Sequence, residues 1–176
     1  MASDLDFESL VSRFYEPLYR FALSLARSEA GACDLTQQTF YLWATRGHQL
    51  RDSSKVKSWL FTTLHREFLQ TQRHRQRFPE EELDAEHPDL PVVASTIAQH
   101  LDARQAVEAL GRVDAVYQAP VALFYLEDYA YKEIAQLLEI PLGTVKSRIA
   151  RGLAQLQMAL ARDPEPRHPP RSNDRE

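Results

Sequence analysis

Large apolar residues recur every three or four positions at the start of the chain: Phe7, Leu10, Val11, Phe14, Leu18, Phe21 and Leu25. This spacing predicts an amphipathic helix over 5–27 with one buried face, bent or interrupted at Pro17. Gly31 reads as a separator before a second helix over about 34–45, with Leu35, Phe40 and Trp43 available to a core and Gly47 at its end. Residues 48–54 are polar and read as a loop. A third helix over about 55–77 repeats the spacing with Val56, Trp59, Leu60, Thr63, Leu64 and Phe68, then turns polar and basic from Gln70 to Arg77.

Beyond residue 78 the pattern lapses and then resumes. Residues 79–95 hold Pro79, Pro88 and Pro91, three consecutive Glu and few large apolar residues, the composition of an extended linker. Helical spacing returns with Ile97, Leu101, Val107 and Leu110. Gly111 or Asp114 marks a break, and Asp114 is suited to cap a helix running through Val121, Leu123 and Leu126. A short helix over 131–139, a turn at 140–143 and a last helix over about 144–161 complete the chain, and a Pro-rich tail from 163 reads as disordered. No segment alternates with the period of a strand. The expected fold is all-α: an N-terminal helical bundle over 1–78 and a C-terminal helix-turn-helix domain over 103–162. A flexible acidic linker over 79–102 joins them, and the tail occupies 163–176.

Charge sharpens this division. The 176 residues carry a net charge of −4, which taken whole argues against nucleic acid. By segment the net charge is +3 over 1–78, −7 over 79–102, +1 over 103–162 and −1 over 163–176. One short segment therefore makes the chain acidic, and both helical segments are mildly basic. A single cysteine, Cys33, excludes an internal disulfide framework and a zinc knuckle. No run of 18 apolar residues occurs, and the N-terminus lacks the apolar stretch of a signal peptide, so a cytoplasmic protein is expected.

The densest functional signal lies between Tyr131 and Arg151. Ala135 is small where two helices approach, and Ile140 and Val145 are apolar plugs on either side of a turn set by Pro141 and Gly143. Thr144 is placed to cap the helix that follows. Lys146, Ser147, Ala150 and Arg151 share one face of that helix, with Arg148 beside them, and residues 143–162 hold four bases and no acid. This is the chemistry of a helix-turn-helix whose second helix enters a major groove, with short polar and cationic side chains meeting base edges and phosphates. The plainer reading is a solvated basic helix in an ordinary helical hairpin.

These residues also carry a resemblance. Tyr131-Lys-Glu-Ile-Ala together with Ile140-Pro-Leu-Gly-Thr-Val-Lys-Ser-Arg148 resembles the last domain of bacterial sigma factors of the extracytoplasmic-function group, within the sigma-70 family. Asp34-Leu-Thr-Gln-Gln-Thr-Phe40 resembles that family's polymerase-docking motif, and Ser58-Trp-Leu-Phe61 a second motif downstream of it. The resemblance covers roughly residues 7–78 and 103–160.

It implies a subunit that binds core RNA polymerase through the clamp and flap, reads a promoter in two parts and assists melting. Asp34, Gln37 and Gln38 would face the largest-subunit clamp, with Leu35 and Phe40 in the core; Gln38 stands where the family has Glu. Leu50, Arg51, Asp52 and Ser53 would form a loop that holds an extruded base of the minus-ten element. Arg66 falls near that pocket where the family often has Asn, and Arg73, Arg75 and Arg77 would meet phosphates. Trp59 and Phe61 are candidates to stack on a base, although aromatic residues at helical spacing belong more often to a core. Thr144, Lys146, Ser147, Arg148, Ala150 and Arg151 would read the minus-thirty-five element. Ala130 stands in place of a capping Ser and Asp114 in place of Pro, with Asp128 a candidate substitute cap. The acidic linker either mimics nascent RNA or shields the basic modules from each other. An anti-sigma factor is an expected partner.

Enzymatic chemistry is poorly served. Cys33 has no activating neighbour in sequence, His65 and His74 are not at metal-ligand spacing, and there is neither a Gly-rich phosphate loop nor a pair of catalytic carboxylates. No cofactor or metal is expected. A stand-alone helix-turn-helix regulator would need a sensing or dimerising domain for which residues 1–78 show no signature. A decoy that keeps the fold without promoter activity is the remaining alternative.

Overall fold

The computed structural model describes residues 7–77 and 100–162. The expected disordered tail lies outside the described residues, as does the expected linker apart from its last three positions, which are helical. Seven α-helices and two short 3-10 turns form the described residues, with no strand among them. The helices are α1 (Phe7–Ala26), α2 (Glu29–Arg46), α3 (Val56–Arg77), α4 (His100–Leu110), α5 (Ala115–Tyr125), α6 (Tyr131–Leu138) and α7 (Leu142–Arg162). The all-helical expectation holds, with local corrections that each have a physical reason.

Helix α1 runs through Pro17 without interruption. The proline removes one backbone hydrogen bond, but Leu10, Phe14, Leu18, Phe21 and Leu25 are buried on both sides of it and hold the helix to its neighbours. Gly31 does not separate α1 from α2. The break falls at Arg27, which takes the left-handed conformation at φ 59°. Ser28 then caps α2, its hydroxyl accepting from the Gly31 amide at 3.2 Å. A β-carbon on Gly31 would stand 2.9 Å from that hydroxyl, so a larger residue there would push the capping side chain aside. At the other end of α2, a β-carbon on Gly47 would lie 2.6 Å from the Trp43 ring. Trp43 in turn meets Trp59 of α3 edge to face at 5.2 Å, which fixes both ends of the intervening loop.

In the second half, Asp114 precedes α5 but its side chain makes no capping bond. It pairs with Gln155 of α7 instead: the Asp114 amide donates to Gln155 Oε1 at 2.9 Å and Gln155 Nε2 donates to Asp114 Oδ2 at 2.8 Å. Asp128 is not a substitute cap for α6. It occupies a left-handed turn at φ 55°, while Glu133 reaches back to accept from the Ala130 amide at 2.8 Å, one half of a capping box. Helix α7 starts at Leu142, so Thr144 lies within its first turn and is not the cap. Gly143 is helical rather than a turn-former; the left-handed residue of the turn is Glu139, at φ 57°. Helix α7 packs close against α5 at Gly152, where a β-carbon would stand 2.4 Å from Val121 Cγ2.

The two halves pack against each other. A continuous cluster of buried side chains runs from α1, α2 and α3 into α4, α5, α6 and α7, with α1 against α4 and α5 and α3 against α6. Phe61, a candidate for base stacking, is instead fully buried. Its ring lies 5.4 Å from Phe21 of its own half and 5.6 Å from Tyr129 of the other. Burying such a ring is worth about 1.5–3 kcal/mol. Spacing along a helix predicts which face is buried but not which partner buries it.

Candidate nucleic-acid interface

The recognition-type face of α7 is set by what the opposite face buries. Val145, Ile149, Gly152, Leu156 and Ala159 are buried at alternating steps of four and three, which turns Lys146, Ser147, Ala150 and Arg151 to solvent. Arg148 and Thr144 are half-buried at the edge of that face. The Ser147 hydroxyl donates to the Thr144 carbonyl at 3.1 Å, so it is partly spent within the helix. Nothing lies within 4 Å of the place where a Gly143 β-carbon would stand, which leaves an open approach to the start of the helix. Neither Lys146 nor Arg151 forms an ion pair among the described residues.

In the first half, Leu50 is half-buried and Arg51, Asp52 and Ser53 are exposed. The loop is held by Asp52, whose Oδ1 accepts from the Ser54 amide at 3.0 Å and from the Ser54 hydroxyl at 2.6 Å. Those two bonds lower the Asp52 carboxyl from its usual range, and Lys55 adds to the effect at 3.9 Å. Asp52 therefore stays ionised and shapes the loop. Arg66, Arg73 and Arg77 are all exposed and, at i, i+7 and i+11, form one stripe along α3. Arg75 does not join them. It lines a groove of about 630 Å³ between α2 and α3, together with Asp34, Gln37, Gln38, Tyr41 and Gln72. The structure thus brings the three expected polymerase-facing residues together and sets Arg75 beside them.

Several functional candidates escaped the sequence reading. Tyr41 is exposed one turn beyond Gln37 and Gln38, and its position on that face was the available signal. Lys57, Glu127 and Glu139 find their partners only through the packing of the two halves. Arg66 pairs with Glu139. Arg20 Nη2 reaches Glu127 Oε1 at 3.3 Å, and Lys57 Nζ lies 3.4 Å from the Glu127 carbonyl and 4.5 Å from the centre of the Tyr129 ring. Burial pushes the Glu127 carboxyl up to about 7, and the opposing pull of Arg20 and Lys57 does not cancel it. Burial presses His65 down to about 4, against the pull of Glu139. Cys33 is half-buried, and burial, Asp34 and Glu29 all raise its thiol, the opposite of what activates a nucleophile. Among the described residues, no helix is long and apolar enough to cross a membrane, and no three His, Cys, Asp or Glu side chains are grouped to hold a metal ion.

The described residues thus form two packed helical modules, one with a basic helix-turn-helix and the other with a basic helix beside a polar groove. Residues 10–78 match the family model for sigma-70 region 2, and residues 103–156 match that for sigma-70 region 4. The chain is 31% identical over 155 residues to the ECF RNA polymerase sigma factor SigM of Mycobacterium tuberculosis, covering 88% of this chain and 76% of that one. It is also 31% identical over 159 residues to the ECF RNA polymerase sigma factor SigE of Mycolicibacterium smegmatis, of whose length it spans 62%. Among solved structures, the sigma factor RpoE in complex with the anti-sigma factor NepR from Bartonella quintana superposes with a TM-score of 0.71 at 29% identity, covering 90% of this chain and 99% of that one. The chain belongs to the sigma-70 family, in its extracytoplasmic-function group.

Proposed function

We propose that this chain is a dissociable initiation subunit that recruits core RNA polymerase to promoters with a minus-thirty-five and a minus-ten element and assists melting. The observation that carries the reading is the acid-free exposed face of α7, joined in one chain to a region 2 module. Residues 103–162 would grip duplex DNA through Lys146, Ser147, Arg148, Ala150 and Arg151, with Thr144 at the helix entrance. Residues 1–78 would trap single-stranded DNA with the loop Leu50–Ser53 and follow its phosphates with Arg66, Arg73 and Arg77. The groove between α2 and α3 supports docking of the polymerase clamp on Asp34, Gln37, Gln38 and Tyr41. Its place in the lining supports reading Arg75 with that surface rather than with the DNA-facing stripe. Gln38 makes a neutral contact where a carboxylate would make a charge-assisted one.

In this reading the chain catalyses nothing itself, works in the cytoplasm and is held in check by an anti-sigma factor, as the solved relative with NepR suggests. Run-off transcription with bacterial core polymerase on a library of randomised promoters tests it. Specific transcripts that need the chain, and that vanish when Lys146 and Arg151 are both replaced by Ala, are the expected result. Binding to core without any transcript would favour the decoy. Binding to duplex DNA without any binding to core would make the chain a simple regulator.

A further inference from the structure

We propose that the Pro-rich segment 166–171 of this same chain docks as a polyproline II ligand on a row of aromatic rings that α1 and α2 leave at the surface. The row includes neither the DNA-facing residues of α3 and α7 nor any residue lining the groove between α2 and α3.

Helical spacing builds the row. Phe7, Tyr15 and Tyr19 fall on one face of α1, and Phe40 of α2 closes against them. The Tyr15 ring stacks on Tyr19 at 6.1 Å and 4° and on Phe40 at 6.4 Å and 7°, and Phe7 meets Phe40 edge to face at 6.4 Å. Phe40 is buried and forms the floor, whereas Phe7 is 46% and Tyr15 40% exposed. The row is thus ordered by packing and still open to water. Phe7 and Tyr19 stand about 18 Å apart at 1.5 Å per helical residue.

The chain carries a ligand of matching form. Residues 166–171 read Pro-Arg-His-Pro-Pro-Arg. Their prolines fix φ near the polyproline II value, so little entropy is lost on docking. Pro166 and Pro169 have the spacing of proline ligands that sit in aromatic-lined grooves. Six residues make two turns, about 19 Å at 3.1 Å per residue, the length of the row. A polyproline II strand makes no internal hydrogen bonds, and a phenol such as that of Tyr15 supplies a donor for its carbonyls.

Charge fits as well. Glu8 is exposed and shares the face of Tyr15 and Tyr19, and Glu16 follows eight residues on, about 12 Å away. Arg167 and Arg171 are four positions apart, also about 12 Å in polyproline II, and no acid lies between them. Arg13 is set over the Phe14 ring at 5.2 Å, away from this face. The same carboxylates disfavour a nucleic acid on the rings.

The segment can reach. Arg27 donates to the Val113 carbonyl at 3.2 Å, and Leu23 shares a cavity with Val107 and Gly111, so α4 runs beside the C-terminal half of α1. Helix α7 packs on α4 in turn. Two interhelical steps of about 8–10 Å each therefore separate α7 from α1, and the nine residues 163–171 span about 28 Å.

The test places a nitroxide at Ser172→Cys of the full chain in a Cys33→Ala background and follows the amide signals of the isotope-enriched protein. The expected result is loss of the Phe7, Tyr15 and Tyr19 signals by paramagnetic broadening. They should return in Pro166→Ser/Pro169→Ser/Pro170→Ser and in Arg167→Glu/Arg171→Glu, whose substitutions lie beyond α7, and in Tyr15→Ser, whose helices circular dichroism checks. Signals that stay intact in the unaltered tail overturn the docking and leave the row to another protein. Signals still lost after the prolines or arginines are replaced overturn recognition by this segment. In a mixture of enriched chain without nitroxide and nitroxide-bearing chain without enrichment, broadening would make a second copy the occupant and overturn the same-chain contact. None of these readouts involves polymerase or promoter, so the docking and the initiation reading fail separately.

Discussion

Arg20 and Glu127, 107 residues apart in the chain, meet at 3.3 Å across the two halves of the molecule, and the Glu127 side chain is only 4% exposed. The pair joins α1 to the segment that precedes the helix-turn-helix. It is a charged contact in a place where charge is costly. Desolvation outweighs the guanidinium and leaves the carboxyl near neutrality, at about 7 against an ordinary 4.5.

That shift has a definite sign. Folded Glu127 holds its proton more tightly than unfolded Glu127, so its contribution to stability is full below about 4.5 and is lost as pH rises through about 7. His65, pressed to about 4 from 6.5, acts in the opposite sense: its contribution is present above 6.5 and is lost as pH falls towards 4. The two offset each other between about 4.5 and 6.5, and above that window Glu127 acts alone. Thermal unfolding midpoints should therefore fall between pH 6.5 and 8. Glu127→Gln should remove that fall and leave a rise from pH 4 to 6.5. The full span of the Glu127 effect is about 3 kcal/mol. A wild-type midpoint that stays flat from pH 6.5 to 8 would place Glu127 in water.

The reciprocal bonds between Asp114 and Gln155 tie the start of α5 to α7. Replacing either residue with Ala should cost about 1 kcal/mol, as for a lost helix cap. Gln155→Ala removes both bonds and Asp114→Ala only the one its carboxylate accepts, because the Asp114 amide belongs to the backbone, so replacing both should cost little more than Gln155→Ala alone. Urea unfolding of the two single variants and the double variant measures this coupling. Additive losses would mean that the two side chains act separately.

Gly152 is a point of close approach between α5 and α7. Alanine is the better helix former by up to about 1 kcal/mol, so a helix considered alone would gain from Gly152→Ala. Its β-carbon, however, would stand 2.4 Å from Val121 Cγ2 and 2.9 Å from Tyr117 Cβ, and overpacking costs about 1–3 kcal/mol. The variant should have a lower urea midpoint, with a net loss of about 1–2 kcal/mol. A higher midpoint would show that α5 and α7 can move apart freely.

The periodicity of apolar residues made most of the helices legible, because they bury a stripe at three- and four-residue steps; α5 differs and buries every residue from Gln118 to Leu123. The exposed face of α7 was legible for the same reason: Val145 and Ile149 fix which way Lys146 and Arg151 point. The helix starts were harder to read. Gly31, Thr144 and Asp114 each looked like a local signal, and each was overruled by a particular neighbour: Ser28 takes the cap before Gly31, Pro141 accepts the Val145 amide at 3.0 Å ahead of Thr144, and Gln155 claims Asp114. Phe61 shows the deeper limit. Its helical position marked it as either core or exposed, and the decision came from Tyr129, 68 positions further along the chain. Pairings such as Arg66 with Glu139 arise only when the halves meet, and no pattern within either half encodes them.

Lys146 and Arg151 lie five residues apart on α7, with no ion pair among the described residues to hold them to the protein. Their charge is therefore available to DNA. If both meet phosphates, holoenzyme binding to a promoter should lose about 0.9 from the slope of log affinity against log salt for each residue replaced by Ala, with sequence preference unchanged. If either reads a base edge, its loss should instead erase discrimination at one base pair, worth about 1–3 kcal/mol, and change the slope less. Ser147 already donates to the Thr144 carbonyl, so Ser147→Ala should weaken binding less than either cation. Salt titrations of promoter binding with the three variants separate these outcomes. Unchanged affinity in the variants lacking Lys146 and Arg151 would remove α7 from the DNA interface.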